Sequence, residues 1–493
     1  MVRTTPKPEG MAMAQYAFSD LLSDSPVRVT ATCVIDDGQL SLTGPELLGR
    51  ITDLRREFSA LVGPGEVVCV VMPSSAAYML VQAALLDLGA IFVAVPSDAT
   101  HLTAVVSELG SPKWFVYPRH APSPQHRHAD NSGVLSVDMS KLSVRIEQNP
   151  TCWTPVSAAT ESGRVVVATS GSTGRSKLVN LSPLAYWYAG NAIAQVTSIE
   201  ASDTVLHHLP LQRGAGWLAW GALAAGARNI IEPVRSADFP EALKATGATA
   251  TFSVSVGLHE LVRRDWAASS LPRLRTLYYS SGTVSVDMKH ALAERFGGRL
   301  IQDYGMTEVP EPLTVLSRGD HLRGLQDRAV LASVGRTLHT DRVRTDRPAT
   351  ANQPAPIWVR SPYMFDGYWG GPRRASQSWY RTDDLGYIDP DGYLFLTGRQ
   401  SRTVRSGGVS FALSDIQAAL ESIPAILKAE LSVVPDQRFG ERVQATVMAT
   451  DPRLGAAQIK VALAQHVVDA RMAAIDITVN SLPTLYDDTK EEP

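Results

Sequence analysis

From about Leu40 to Leu300 the chain repeats one pattern: a short run of consecutive apolar residues, then a longer stretch whose apolar positions recur every three or four residues. The stretch LSLTGPELLGRITDLRREFSALVGPGEVVCVVM predicts a capped amphipathic helix, a Gly-Pro-Gly turn and a buried strand. Ala76 to Pro96 predicts a helix followed by the strand IFVAV, and WFVY at Trp114 to Tyr117 another strand. The β-branched run Val165 to Val167 enters a turn of small residues and leaves it through LVNL, a short strand. A helix then starts at Ser182 as cap with Pro183 in its first turn, and runs through Leu184 to Val196. TVLHHLPLQRGAGWLAWGALAAGA predicts a strand, a turn and an apolar helix, and ATATFSVSVG to LRTLYYSSGTVSVDM repeats strand, helix, strand. Continuous apolar strands alternating with helices predict an α/β fold, with parallel sheets covered by helices on both faces.

Elsewhere the pattern weakens. Residues 1 to about 25 read as a loose lead-in, Ala121 to Asn149 as a connection rich in Pro, His, Ser and charge, and Leu316 to Pro356 as loops and short strands. IWVRSPYMFDGYW predicts a strand and a Gly-Tyr-Trp turn, and DPDGYLFL a hairpin about its Asp-Gly turn. Residues 402 to 493 alternate helix and strand and predict a small α+β domain. With 493 residues the chain exceeds what one core organises, so at least two domains are expected.

Composition narrows the function classes. At 44% hydrophobic, 19% charged and a net charge of −3, the chain has neither a basic excess for nucleic acid nor a dominant acidic tail. A small-molecule role is expected, with no nucleic-acid partner. Cys33, Cys69 and Cys152 are widely spaced, which supports neither a disulfide framework nor a zinc site. His120, His126 and His128, interleaved with Pro, Ser and Gln, read as solvated loop histidines rather than metal ligands. The N-terminus lacks the apolar core of a signal peptide, and the apolar stretches Val67 to Met72 and Leu80 to Val95 are short or interrupted. A cytoplasmic protein with no membrane partner is expected.

The chemistry concentrates first at Thr169, Ser170, Gly171, Ser172, Thr173 and Gly174, with Arg175 and Lys177 at the exit of the turn. Glycines admit backbone N–H groups close to phosphate oxygens, hydroxyls add donors, and a lysine supplies a point charge. This is not a Walker A loop: Lys177 follows Ser176 and leads into a strand, so a polyanion would be held by a hairpin rather than by a helix N-terminus. The adjacent His207 and His208 lie on one strand and must face opposite sides, which rules out a simple ligand pair.

TSGSTGRSK resembles the phosphate loop of the adenylate-forming superfamily, which comprises acyl-CoA synthetases, luciferases and peptide-synthetase adenylation domains; the usual proline is Ser176 here. About 130 residues on, LIQDYGMTEVP supplies a second segment in the superfamily's order. Tyr304 offers a flat face for a purine, Thr307 a hydroxyl for an α-phosphate, and Glu308 a hard oxygen ligand for magnesium. The resemblance places Asp303, Gly305 and Met306 in the same cofactor-binding turn, and Ser281, Gly282 and Thr283 against the adenine. It also puts Asp384 on the ribose-binding aspartate and Arg399 on a basic ribose contact, with Asp383 where a glycine is usual. Near a ribose, hydroxyl recognition by one of these carboxylates, with the other in solvent, is simpler than a general acid/base pair.

By the same resemblance, LPLQRGAGW lines the acid's pocket, so Arg213, Gly214 and Trp217 join Gly305 and Val309 as substrate-binding candidates. Arg213 stands where a histidine or another aromatic is usual; it either meets a second anionic group or points to solvent. Ser401 falls on the hinge, which divides a large adenylation domain, residues 1–400, built of αβαβα-type sheets, from a small mobile α+β domain, residues 402–493. Gly407 and Gly408 fall on the turn near the thiol's path, and Lys490 is the lysine available for the catalytic role, joining Lys177, Thr307 and Glu308.

What the resemblance implies is ATP- and magnesium-dependent adenylation of a small organic or aryl acid, with release of pyrophosphate. Transfer to a thiol such as coenzyme A follows by default, with a carrier-protein thiol or an amine as other acceptors. Two alternatives stand beside it: activation of nitrite for diazotisation of an aryl amine, and a degenerate nucleotide-binding protein without turnover.

Overall fold

The computed structural model describes residues 17–95, 99–110, 112–119, 132–150, 163–169, 177–280, 284–375, 377–399, 403–406, 409–436, 440–451, 453–464 and 475–481. Two large sheets organise them. The first has nine strands, in the order Arg336–Thr337, Val309–Leu316, Leu300–Met306, Thr276–Tyr279, Ala250–Ser253, Thr204–His207, Arg228–Ile231, Cys33–Asp36 and Ser41–Thr43. From Leu300–Met306 to Cys33–Asp36 every pairing is parallel. The second has eight, in the order Gly367–Tyr368, Lys177–Leu181, Arg164–Thr169, Ile91–Ala94, Val67–Val70, Trp114–Pro118, Gly133–Asp138 and Ser143–Gln148. Val67–Val70, Ile91–Ala94, Ala250–Ser253 and Thr276–Tyr279 are buried at every position, as strands covered on both faces must be.

Helices fill the space between the sheets and cover their outer faces, so the layering is αβαβα. The middle layer holds Gly44–Ser59, Ala76–Asp87, Pro183–Thr197 and Ala215–Ala224, whose apolar side chains share one core with both inner sheet faces. The first of these starts at a capping box: the Glu46 amide donates to the Thr43 hydroxyl, and the Thr43 amide to the Glu46 carboxylate at 2.8 Å. Ala215–Ala224 is buried all round, which explains why its sequence shows no polar face. It crosses Pro183–Thr197 so closely that a Cβ at Gly221 would lie 2.0 Å from the Gly190 carbonyl oxygen. Only glycine permits that approach. Phe239–Thr246, Ser255–Arg263 and Val286–Phe296 cover the outer face of the nine-stranded sheet, and Ala99–Leu109 that of the eight-stranded one.

A four-stranded sheet, Val343–Thr345, Ala355–Val359, Tyr380–Ile388 and Leu394–Arg399, follows in the chain. Thr403–Ser406, Val409–Ala412, Ile426–Asp436, Gly440–Ala449 and Ile475–Ser481 form a five-stranded sheet with a core of its own around Ile416, Leu420, Val443 and Ile459. Ser401 and Lys490 lie outside the described residues, so the expected hinge and terminal lysine do too. No described helix is long and apolar enough to cross a membrane.

Three expectations need correction. The lead-in is partly structured: in the helix Phe18–Ser23, Phe18 packs edge-on against Trp187 and Trp220, at 5.7 and 4.9 Å between ring centroids. The stretch read as a connection contains the strands Gly133–Asp138 and Ser143–Gln148; the second is an edge strand whose charged residues look like loop composition. The stretch read as loops after Leu316 holds two short helices, Arg318–Arg323 and Arg328–Ala332, the first opened by a Ser317/Asp320 capping box.

Candidate active site

The C-terminal ends of the central parallel strands are where an open α/β sheet presents ligand-binding turns. Leu300–Met306 ends there, delivers Asp303, Tyr304, Gly305 and Met306, and turns through Thr307 and Glu308 into Val309–Leu316. A Cβ at Gly305 would sit 3.0 Å from the Glu311 carbonyl oxygen and 3.5 Å from Asp303 Oδ2, so this turn is tight.

Tyr304 and Asp384 meet. The Tyr304 hydroxyl donates to Asp384 Oδ2 at 2.8 Å, with both side chains buried, and so links the nine-stranded to the four-stranded sheet. Asp384 is oriented from its own strand, where its amide donates to the Thr382 hydroxyl. Arg399 is its cross-strand partner in register, which brings the two ribose candidates opposite each other; the Arg399 side chain lies outside the description. Asp383 is half-buried rather than free in solvent.

Glu308 is half-buried, and its Oε1 accepts from the Tyr368 hydroxyl at 2.7 Å. That hydroxyl also lies 2.9 Å from the Tyr380 hydroxyl. Burial first, and then the charge of Glu308, push the Tyr368 phenol up, so it stays a neutral donor. Lys177 sits with Nζ 5.4 Å from the centroid of the Tyr368 ring. One tyrosine thereby joins Lys177, on the eight-stranded sheet, to the turn that carries Glu308. Tyr368 and Tyr380 were missed as site residues; the signal was their place in GYW and WYRTDD, whose partners only the fold reveals.

Thr169 pairs with Lys177 across the hairpin, and its hydroxyl donates to the Lys177 carbonyl. The loop between them, including Ser170, Gly171, Ser172, Thr173, Gly174 and Arg175, lies outside the described residues, as do Ser281, Gly282, Thr283, Gly407 and Gly408. The same is true of His120, His126 and His128.

In the segment expected to line the acid's pocket, Gln212 anchors LPLQ by donating to the Met72 carbonyl at 2.7 Å and accepting from Ser74. Arg213 then emerges exposed, Gly214 is half-buried, and Trp217 turns inward, edge-on to Tyr186 at 6.3 Å. His207 bonds Asn229 through Nε2 at 2.7 Å, whereas His208 stacks on Phe239 at 3.9 Å, on the other face, as strand alternation requires. Burial pushes them down to about 4 and about 3, so both are neutral and neither serves as a base near pH 7.

The residues present fit a magnesium nucleotide. Glu308 uses one carboxylate oxygen for Tyr368, and among the described residues no group of three His, Cys, Asp or Glu converges on a metal. A single carboxylate, with phosphate and water oxygens completing the shell, is the arrangement magnesium favours.

Comparison with known proteins agrees with this geometry. The family described as AMP-binding enzyme matches residues 26–369. The medium/long-chain-fatty-acid–CoA ligase FadD8 of Mycobacterium tuberculosis is 26% identical over 376 residues, 71% of this chain and 63% of that protein. The chain thus matches less than two thirds of that relative's length. The feruloyl-CoA synthase of an Amycolatopsis species is 25% identical over 432 residues, 84% of this chain and 85% of its own. Among solved structures, the amide bond synthetase McbA of Marinactinospora thermotolerans superposes with a TM-score of 0.71 at 23% identity, over 94% of this chain and 95% of that one.

Proposed function

The chain belongs to the AMP-binding enzyme family, within the adenylate-forming superfamily, and from that premise we propose that it adenylates a small organic acid and passes the acyl group to a thiol. An acid oxygen attacks the α-phosphorus of ATP, the bond to the bridging oxygen breaks, and pyrophosphate leaves with the electron pair. No side-chain nucleophile is needed, so the protein's contribution is positioning and charge stabilisation.

The observation that carries this reading is the buried Tyr304–Asp384 hydrogen bond. It brings a flat aromatic face and a carboxylate suited to ribose hydroxyls together. Glu308 and Lys177, joined through Tyr368, then lie where phosphates of the same nucleotide would reach. Bound magnesium would neutralise phosphate charge beside Glu308. Thr307 would bond the α-phosphate, and the hydroxyls and amides from Thr169 to Gly174, with Lys177, would hold the leaving pyrophosphate. Lys490 would close the site by bonding the acid's carboxylate and the bridging oxygen. Rotation of residues 402–493 about Ser401 would then replace Lys490 by the Gly407 and Gly408 turn for thiol transfer, with coenzyme A as the acceptor.

The test is exchange of labelled pyrophosphate into ATP, screened over carboxylic acids and nitrite. Acid-dependent exchange on at least one carboxylic acid is the expected result. Tight ATP binding without exchange on any acid would overturn the proposal.

A further inference from the structure

Residues 365–368 grip Glu308 twice. The Phe365 amide donates to the Glu308 carbonyl at 2.8 Å, and the Tyr368 hydroxyl donates to Glu308 Oε1 at 2.7 Å. The same segment is stitched to the eight-stranded sheet, where Gly367 pairs with Asn180 and Tyr368 with Val179, on the strand that begins at Lys177. Gly367 has φ 140°, and a Cβ there would sit 2.7 Å from the Pro372 carbonyl oxygen, so the bend that aims Tyr368 requires glycine. A phenol has one proton to donate. Tyr368 gives it to the Glu308 carboxylate, so the contact of 2.9 Å between the Tyr368 and Tyr380 hydroxyls must be donated by Tyr380. The two bonds then run in one direction, Tyr380 to Tyr368 to Glu308, and each polarises the other. Burial pushes both phenols up, so both keep their protons near pH 7. Phe365 meets the two rings edge-on, at 5.1 Å from Tyr368 and 5.2 Å from Tyr380, and fixes them. Among the described residues no donor engages Oε2 of Glu308.

Resting on the adenylation reading, we propose that Tyr368 is a positioning residue: its hydroxyl, steadied by that of Tyr380, holds Oε1 of Glu308 so that Oε2 is presented to the magnesium of the nucleotide. Partners that orient a ligating carboxylate are typically worth about ten- to a hundredfold in metal affinity. The Tyr368 ring has a separate task, beside the Lys177 ammonium 5.4 Å from its centroid. Deleting the hydroxyl alone therefore separates the two.

The experiment titrates magnesium in the wild type, Tyr368→Phe and Tyr380→Phe, by acid-dependent pyrophosphate exchange and by calorimetric ATP binding with and without the metal. Tyr368→Phe keeps the ring beside Lys177 and Phe365, so its ATP affinity in the absence of magnesium should stay near that of the wild type. The magnesium concentration for half-maximal exchange should rise about tenfold, and the tightening of ATP binding by magnesium should shrink by about the same factor. Tyr380→Phe leaves the bond from Tyr368 to Glu308 in place and should raise the magnesium requirement about two- to threefold. An exchanging Tyr368→Phe variant with an unchanged magnesium requirement would overturn the proposal, by making the hydroxyl structural. A loss of ATP affinity that is equal with and without magnesium would overturn it as well, because Tyr368 would then act on the nucleotide rather than through Glu308. A wild type that binds ATP but exchanges with no acid would instead overturn the adenylation reading, and the magnesium dependence of ATP binding in the variants would still decide the role of Tyr368.

Discussion

Asp203 and Asp303 are buried carboxylates at opposite ends of the nine-stranded sheet, and they are treated differently. Asp203, 2% exposed, precedes the strand Thr204–His207. It accepts from the Thr249 hydroxyl and Arg275 Nε, each at 2.6 Å, from a second Arg275 nitrogen, and from the Glu200 amide. Arg318 extends the cluster by donating to the Arg275 carbonyl at 2.6 Å and the Thr276 hydroxyl at 2.7 Å. Burial alone would raise this carboxyl, but the donors win and hold it below the usual range. At the other end burial wins: the Asp303 carboxyl is pushed up to about 6, with one oxygen unpartnered among the described residues. A fold that satisfies one end so fully has the means to satisfy the other. The N-terminal end of the sheet is tied together by its donors, whereas the C-terminal end is where an open α/β sheet presents ligand-binding turns.

The largest effect expected from breaking this contrast is at the closed end. Asp203→Ala should destabilise by about 3 kcal/mol in urea unfolding, the low end for a buried pair because Arg275 is partly exposed. A loss below about 1 kcal/mol would mean the cluster is not the structural clamp it looks like.

The open end should respond with the opposite sign. A carboxyl raised in the folded state favours its protonated form there, so wild-type stability falls as pH rises from about 4 through about 6, and the penalty is then constant. Asp303→Asn removes it. The variant should match or trail the wild type near pH 4 and exceed it by about 2 kcal/mol at pH 7.5. A stability gap that does not vary with pH would remove the contrast in ionisation between the two ends.

Smaller still, Tyr304→Phe deletes the donor to Asp384. About 1 kcal/mol of stability should be lost, with a several-fold rise in the KM for ATP and an unchanged preference among acids. A shift in acid preference would place Tyr304 on the acid side instead of the nucleotide side.

How far this was legible in the sequence depends on the range of the interaction. Val67–Val70, Ala76–Asp87 and Pro183–Thr197 announce themselves by local pattern, by apolar runs and by the Ser182 and Pro183 start signal, and all three stand as expected. The helix Phe18–Ser23 is too short for periodicity to show; Trp187 and Trp220, far along the chain, hold it. In the candidate site, the residue types at Tyr304, Glu308 and Asp384 were readable, but the bond between residues 80 positions apart was not. Asp303 was grouped with its neighbours in the cofactor-binding turn. That its carboxyl is buried is a fact of packing between elements. Tyr368 was invisible for the same reason, since its partners Glu308, Lys177 and Tyr380 come from three other strands or turns.

The most direct test runs acid-dependent pyrophosphate exchange on the wild type, Asp384→Ala and Asp203→Ala side by side, at a temperature where all three are folded. The wild type should exchange, Asp384→Ala should lose about a hundredfold in kcat/KM for ATP, and Asp203→Ala should stay within a few-fold of the wild type. Equal losses in both variants, or no exchange by the wild type on any acid, would contradict the assignment of the nucleotide to the C-terminal end of the sheet.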